Sequence, residues 1–107
     1  MKYGLKDSTI QKIRDVFVAF PELETAILYG SRAMGNYRNG SDIDLTLKGE
    51  KLTHNLVNAI SLRLDDLYLP YTFDLSVFHH IKNDELLNHI GRVGKTFYQR
   101  QEELSLR

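Results

Sequence analysis

Cysteine and tryptophan are absent from the 107 residues, proline occurs twice, and lysine plus arginine equal aspartate plus glutamate at fourteen each. Without thiols there is no disulfide framework, no thiolate nucleophile and no cysteine-ligated zinc or iron–sulfur centre. With no net charge there is no global field to gather a polyanion, so nucleic-acid binding would need a local basic patch. Arg92, Lys95, Arg100 and Arg107 do not make one, because Glu102 and Glu103 interrupt them, and direct nucleic-acid binding is not expected. No apolar run approaches the ~18 residues of a membrane-spanning helix. Nor does an apolar stretch of signal-peptide type follow Met1-Lys2-Tyr3-Gly4-Leu5-Lys6. A soluble, cytoplasmic protein is expected, with no membrane partner. The length suits one domain over residues 1–107, its core from about 8 to 98 and a polar, fraying tail from 99 to 107.

What is present is strong periodicity. Ser8 followed by Gln11 has the form of a capping box, and Ile10, Ile13, Phe17 and Phe20 recur at helical spacing until Pro21. Thr25–Tyr29 is short, mostly apolar and ends at Gly30, which reads as a buried strand. From Ser31 to Gly40 the turn markers Gly35, Asn36 and Asn39-Gly40 leave room for one helical turn. Ser41–Leu47 then alternates, putting Asp42, Asp44 and Thr46 on a wet face and Ile43, Leu45 and Leu47 on a dry one. Leu52, Leu56, Ile60, Leu64 and Leu67 form a helical stripe, ended at Tyr68-Leu69-Pro70. Thr72–Phe78 alternates as the second strand does, with Asp74 and Ser76 on its polar side. Asn83 caps a last helix carrying Leu86, Leu87 and Ile90, after which Phe97 and Tyr98 return to the core. The expected class is α/β (α+β): a small mixed sheet with helices packed on one face.

This order of elements gathers carboxylates. A crossover helix makes the second and third strands parallel, so both begin at the same end. Asp42, Asp44 and Asp74 should converge there, and a short antiparallel return from the first strand would bring Gly30-Ser31 beside them. Two like charges ~4 Å apart repel by roughly 4 kcal/mol at an effective dielectric of 20, so such a cluster needs solvent, protons or a metal. Mg2+ fits, because it takes oxygen ligands and completes its shell with water and substrate phosphates. Two ions suit an Asp-x-Asp pair, and nucleotidyl transfer is the chemistry such a pair serves. Gly30-Ser31 taken alone would mark only a turn, and Asp42-x-Asp44 alone only a solvated strand face. Arg32 and Arg38 add positive charge near a phosphate. His79 and His80 are assigned no role, and Tyr37 and Arg38 remain open between loop solvation and ligand contact.

The joint pattern is the specific one. Gly30-Ser31, ten residues, Asp42-x-Asp44 and then Asp74 beyond a crossover helix resembles the minimal nucleotidyltransferase (MNT) domain of the DNA polymerase beta superfamily. The string Gly30-Ser31-Arg32-Ala33-Met34-Gly35, followed by Ser41-Asp42-Ile43-Asp44-Leu45, is similar to its small bacterial and archaeal members. The resemblance runs from Ile10 to Tyr98 and implies a polymerase beta palm-like fold. It further implies that Gly30 and Ser31 hold nucleotide phosphates, that Asp42 and Asp44 bind Mg2+, and that Asp74 is the third carboxylate, activating the acceptor hydroxyl. Small MNT proteins resemble the antitoxins of two-gene modules whose partner is an all-helical HEPN protein. The resemblance therefore implies AMP transfer from ATP to a partner hydroxyl. The alternatives are a non-catalytic nucleotide-binding module that silences its partner by occlusion, and an aminoglycoside-type transferase acting on a small molecule.

Overall fold

The computed structural model describes residues 1–101. The first residues are tied down: Lys2 and Leu5 form a two-way backbone bridge, and Leu5 is fully buried. The core therefore begins at Leu5, ahead of the expected boundary near residue 8. Helix α1 (Asp7–Val18) follows directly and buries Ile10, Ile13, Val16 and Phe17. The capping box does not form. Lys6 occupies the N-cap position with no side-chain cap, Ser8 lies inside the helix, and the Gln11 amide donates to Asp15 at 2.8 Å instead. Insertion of Leu5 into the core delivers the chain into the helix before Ser8, which leaves that serine no capping position.

Strand β1 (Thr25–Tyr29) runs into a single helical turn, α2 (Gly30–Met34), and the chain returns as β2 (Ile43–Lys48). The two strands are antiparallel, with Leu28 opposite Leu45 and Tyr29 opposite Asp44. Helix α3 (His54–Asp65) is capped by Thr53, which accepts from the Leu56 N–H, and it buries Ile60 and Leu64. It crosses to β3 (Phe73–Val77), which pairs parallel with β2. A 3-10 turn at Phe78–His80 leads to α4 (Asp84–Val93), where Asn83 accepts from the Leu86 N–H as its cap. The sheet order is β3-β2-β1-β4.

Alternation sorts the side chains as the strand period demands. Ala26, Leu28, Ile43, Leu45 and Leu47 join Ile13, Phe17, Ile60 and Leu64 in one buried cluster beneath α1 and α3. Helix α4 reaches the other face of β1, where Gly94 lies against Ile27 and His89 packs edge-on to Tyr29 at 6.1 Å. The fourth strand, β4 (Lys95–Gln99), is an addition to the expected elements. It pairs antiparallel with β1 across a bulge at Ala26/Ile27. Gln99 and Arg100, expected in a fraying tail, are instead held: Gln99 pairs with Thr25, and the Arg100 N–H donates to the Glu24 carbonyl at 2.8 Å. The rest of that expected tail, residues 102–107, lies outside the described residues.

Phe97 is what makes β4 integral. It is 1% exposed, lies within 6.4 Å of the Phe17 ring, and its carbonyl accepts from Arg14 Nε at 2.8 Å. Truncating a buried phenylalanine leaves a cavity as well as losing transfer energy, typically about 3–5 kcal/mol. Phe97→Ala should therefore lower unfolding free energy in urea by that order. A change below about 1 kcal/mol would show that β4 is peripheral to the core.

Candidate active site

The parallel register puts Asp44 opposite Asp74 and Thr46 opposite Ser76. Neighbouring strands lie about 4.8 Å apart, so the two carboxylates leave the sheet side by side. Asp42 sits just ahead of β2 rather than inside it and is exposed; Asp74 is exposed and Asp44 is half-buried. The face that carries them is wet only at this end. Thr46, expected on a solvated face, is fully buried. Beside the far end of β2, where the 3-10 turn continues β3, the Phe78 ring lies 4.5 Å from Lys48 Nζ.

Gly30 meets this carboxylate row from β1. Its φ is +75°, a region costly for residues with a Cβ, and a Cβ there would overlap Asp44 Oδ2. Glycine is thus required both by the turn and by the approach to Asp44. The Gly30 N–H donates to His89 Nε2 of α4 at 3.1 Å. Ser31 follows on α2, so Gly30, Ser31, Asp44 and Asp74 occupy one end of the sheet.

The electrostatics record the crowding. The Asp44 carboxyl is held above the usual carboxylate range, first by burial and then by the charges of Asp74 and Asp42, while charge on His89 would pull the other way. The Tyr29 phenol, opposite Asp44, is likewise raised by burial and by Asp74 and Asp44. The Ser76 Oγ is buried without a hydrogen-bond partner. Thr46 Oγ1 is buried and unpartnered beside it. One strand step inward from the carboxylates, two orphaned hydroxyls therefore continue the polar face.

Other residues take structural posts. Arg32, expected near phosphate, is 2% exposed; its Nε donates to the Ser41 carbonyl at 3.0 Å and Nη1 to the Tyr3 carbonyl at 2.9 Å. Its guanidinium lies over the Tyr71 and Tyr37 rings at 4.9 and 5.3 Å, which tethers the loop before Asp42. Arg38 is exposed, and its backbone N–H donates to Ser41 Oγ at 2.8 Å. His79 and His80 are exposed, with His80 5.7 Å from the His54 ring. His89 and the structural post of Arg32 were not visible in the periodicity, because a lone helix histidine and a loop arginine carry no spacing signal. A groove of about 620 Å3 lies between α1 and β4, away from the carboxylates.

A family model described as polymerase beta, nucleotidyltransferase matches residues 11–103. The chain belongs to this nucleotidyltransferase family. No curated protein matches it significantly. Among solved structures, a toxin–antitoxin crystal structure with AMP-PNP aligns at TM-score 0.65 with 23% identity, covering 91% of this chain and 76% of that one. A tri-AMPylated Shewanella oneidensis HEPN toxin in complex with MNT antitoxin aligns at 0.64 with 17% identity, covering 90% and 74%. An MntA–HepT toxin–antitoxin aligns at 0.64 with 18% identity, covering 89% and 74%. These likenesses establish the shared fold of the nucleotidyltransferase domain.

Among the described residues, no three acidic or imidazole side chains are gathered closely enough to enclose a metal by themselves. Asp42 and Asp74 are both near enough for their charges to act on the Asp44 carboxyl. Exposed Asp42 precedes the strand and does not share the Asp44–Asp74 register. The donor chemistry still fits Mg2+, which is commonly held by one or two carboxylates with water and substrate phosphates.

The raised Asp44 pKa has a definite sign for stability. The folded state holds this proton more tightly than the unfolded chain, so the carboxyl's contribution to stability is fully present below the ordinary carboxylate pKa and is lost as pH rises through the raised one. Asp44→Asn should accordingly raise the melting temperature of the metal-free protein at pH 7, with the gain vanishing in acid and shrinking when Mg2+ is added. An unchanged or lower melting temperature at pH 7 would contradict the crowding argument. Gly30→Ala should cost about 1–2 kcal/mol for the left-handed backbone alone, measurable by urea denaturation.

Proposed function

We propose that this domain is a Mg2+-dependent nucleotidyltransferase that moves AMP from ATP to a hydroxyl of a partner protein, as the antitoxin of a HEPN/MNT pair. The observation that carries the reading is the register of Asp44 with Asp74, with Gly30 packed against the Asp44 carboxylate. Family membership supports transferase chemistry, and the AMPylated HEPN toxin beside its MNT antitoxin supports the choice of acceptor.

In this reading Gly30 and Ser31 receive the β- and γ-phosphates. The missing Gly30 Cβ makes room for the Asp44 carboxylate and the Gly30 N–H is taken by His89, so the Ser31 N–H and hydroxyl are the donors offered to phosphate. Asp42 and Asp44 hold Mg2+, with Asp74 as the third carboxylate. Two bound ions would neutralise the triphosphate and stabilise the departing pyrophosphate. Asp74 orients the acceptor hydroxyl and takes its proton as the oxygen attacks the α-phosphorus; the bond from that phosphorus to the bridging oxygen breaks, and pyrophosphate leaves. The exposure of Asp74 keeps this edge open to a hydroxyl presented by another chain. No described helix is long and apolar enough to cross a membrane.

The test is intact mass. The native complex, incubated with ATP and Mg2+, should show a partner chain heavier by one or more AMP units. The increment should be absent with Asp42→Asn/Asp44→Asn. A partner that stays bound at its unmodified mass, and remains silenced by the double variant, would favour occlusion without catalysis. Modification of an aminoglycoside by the purified chain alone would point to a small-molecule acceptor.

A further inference from the structure

The Gly30 peptide is held from outside its own strand and turn. His89 lies half-buried on α4, fifty-nine residues away, with its ring edge-on to Tyr29 and its Nε2 accepting the Gly30 N–H at 3.1 Å. A nitrogen that accepts must carry a lone pair, so the neutral ring holds its proton on Nδ1. Helix α2 has five residues and no side-chain cap. The Gly30 N–H is one of the donors that a helix start leaves without an intrahelical acceptor. His89 takes up that donor at the residue whose φ is +75° and whose Cα faces Asp44.

We infer that His89 is a positioning residue for the nucleotide phosphates: by accepting the Gly30 N–H it locks the Gly30-Ser31 turn against Asp44 and leaves the Ser31 N–H and hydroxyl facing the ligand. This rests on the nucleotide-binding reading above. The geometry assigns His89 to orienting the turn rather than to touching phosphate, because its accepting nitrogen already points at the peptide. Without it, the Gly30 peptide would have to find water, and the turn could rotate about a residue with no Cβ to restrain it.

Three variants separate this role from simple packing. His89→Phe keeps a ring against Tyr29 and removes the acceptor. His89→Gln loses the ring but places Oε1 about where Nε2 stands, so it can accept the same N–H. His89→Ala removes both. Calorimetric titration of the full chain with ATP and Mg2+ should give at least a fivefold weaker Kd for the Phe and Ala variants, with Gln within twofold of wild type. In 15N–1H spectra the Gly30 amide should shift in the Phe variant and return towards its wild-type position in the Gln variant. If the Phe variant binds as wild type does, or the Gln variant binds as weakly as Ala, the acceptor role is overturned and His89 is a packing residue. If wild type itself binds no nucleotide, the nucleotide reading fails, and the role assigned to His89 falls with it.

Discussion

Everything at the candidate site depends on the in-register parallel pairing of β2 with β3. Parallel neighbours start at the same end, so Asp44 and Asp74 are forced side by side at the open edge of the sheet. A slip of one residue would turn one carboxylate into the core and bring its apolar neighbours out. The buried cluster of Ile43, Leu45 and Leu47 beneath α1 and α3 forbids that slip. The core therefore holds the charges together, although the charges by themselves would separate.

Concentrating charge in this way costs stability in the metal-free protein, and the surroundings show how the cost is contained. Asp42 and Asp74 remain exposed, where water screens them, and Asp44 alone is drawn partly under cover. The residue packed against the Asp44 carboxylate from the end of β1 is a glycine, which removes a steric conflict without adding charge. Arg32, two residues after Gly30, is spent on two backbone carbonyls and two tyrosine rings.

Periodicity made the second and third strands and the three longer helices legible, and the first strand was legible as a short apolar run ending at Gly30. It failed where tertiary contacts decide. Lys95–Gln99 alternates over too few residues to announce a strand, and becomes one because β1 offers a free edge and Phe97 fills the core. The Ser8–Gln11 pattern met every local requirement of a capping box, but the burial of Leu5 moved the helix start ahead of it. Thr46 continued a polar alternation, yet in the fold it is fully buried, paired in register with Ser76 on β3.

By itself the sequence determined which faces are dry, that the second and third strands run parallel, and that Gly30, Asp44 and Asp74 share one end of the sheet. Those outcomes follow from short-range periodicity and from the chirality of a single crossover, both of which act along the chain. Only the tertiary structure decided that Asp42 lies just ahead of β2, that Arg32 is buried, and that His89 holds the Gly30 peptide. Each of these depends on where one side chain meets a segment distant in sequence or packed in three dimensions, and a linear pattern carries no record of such a distance.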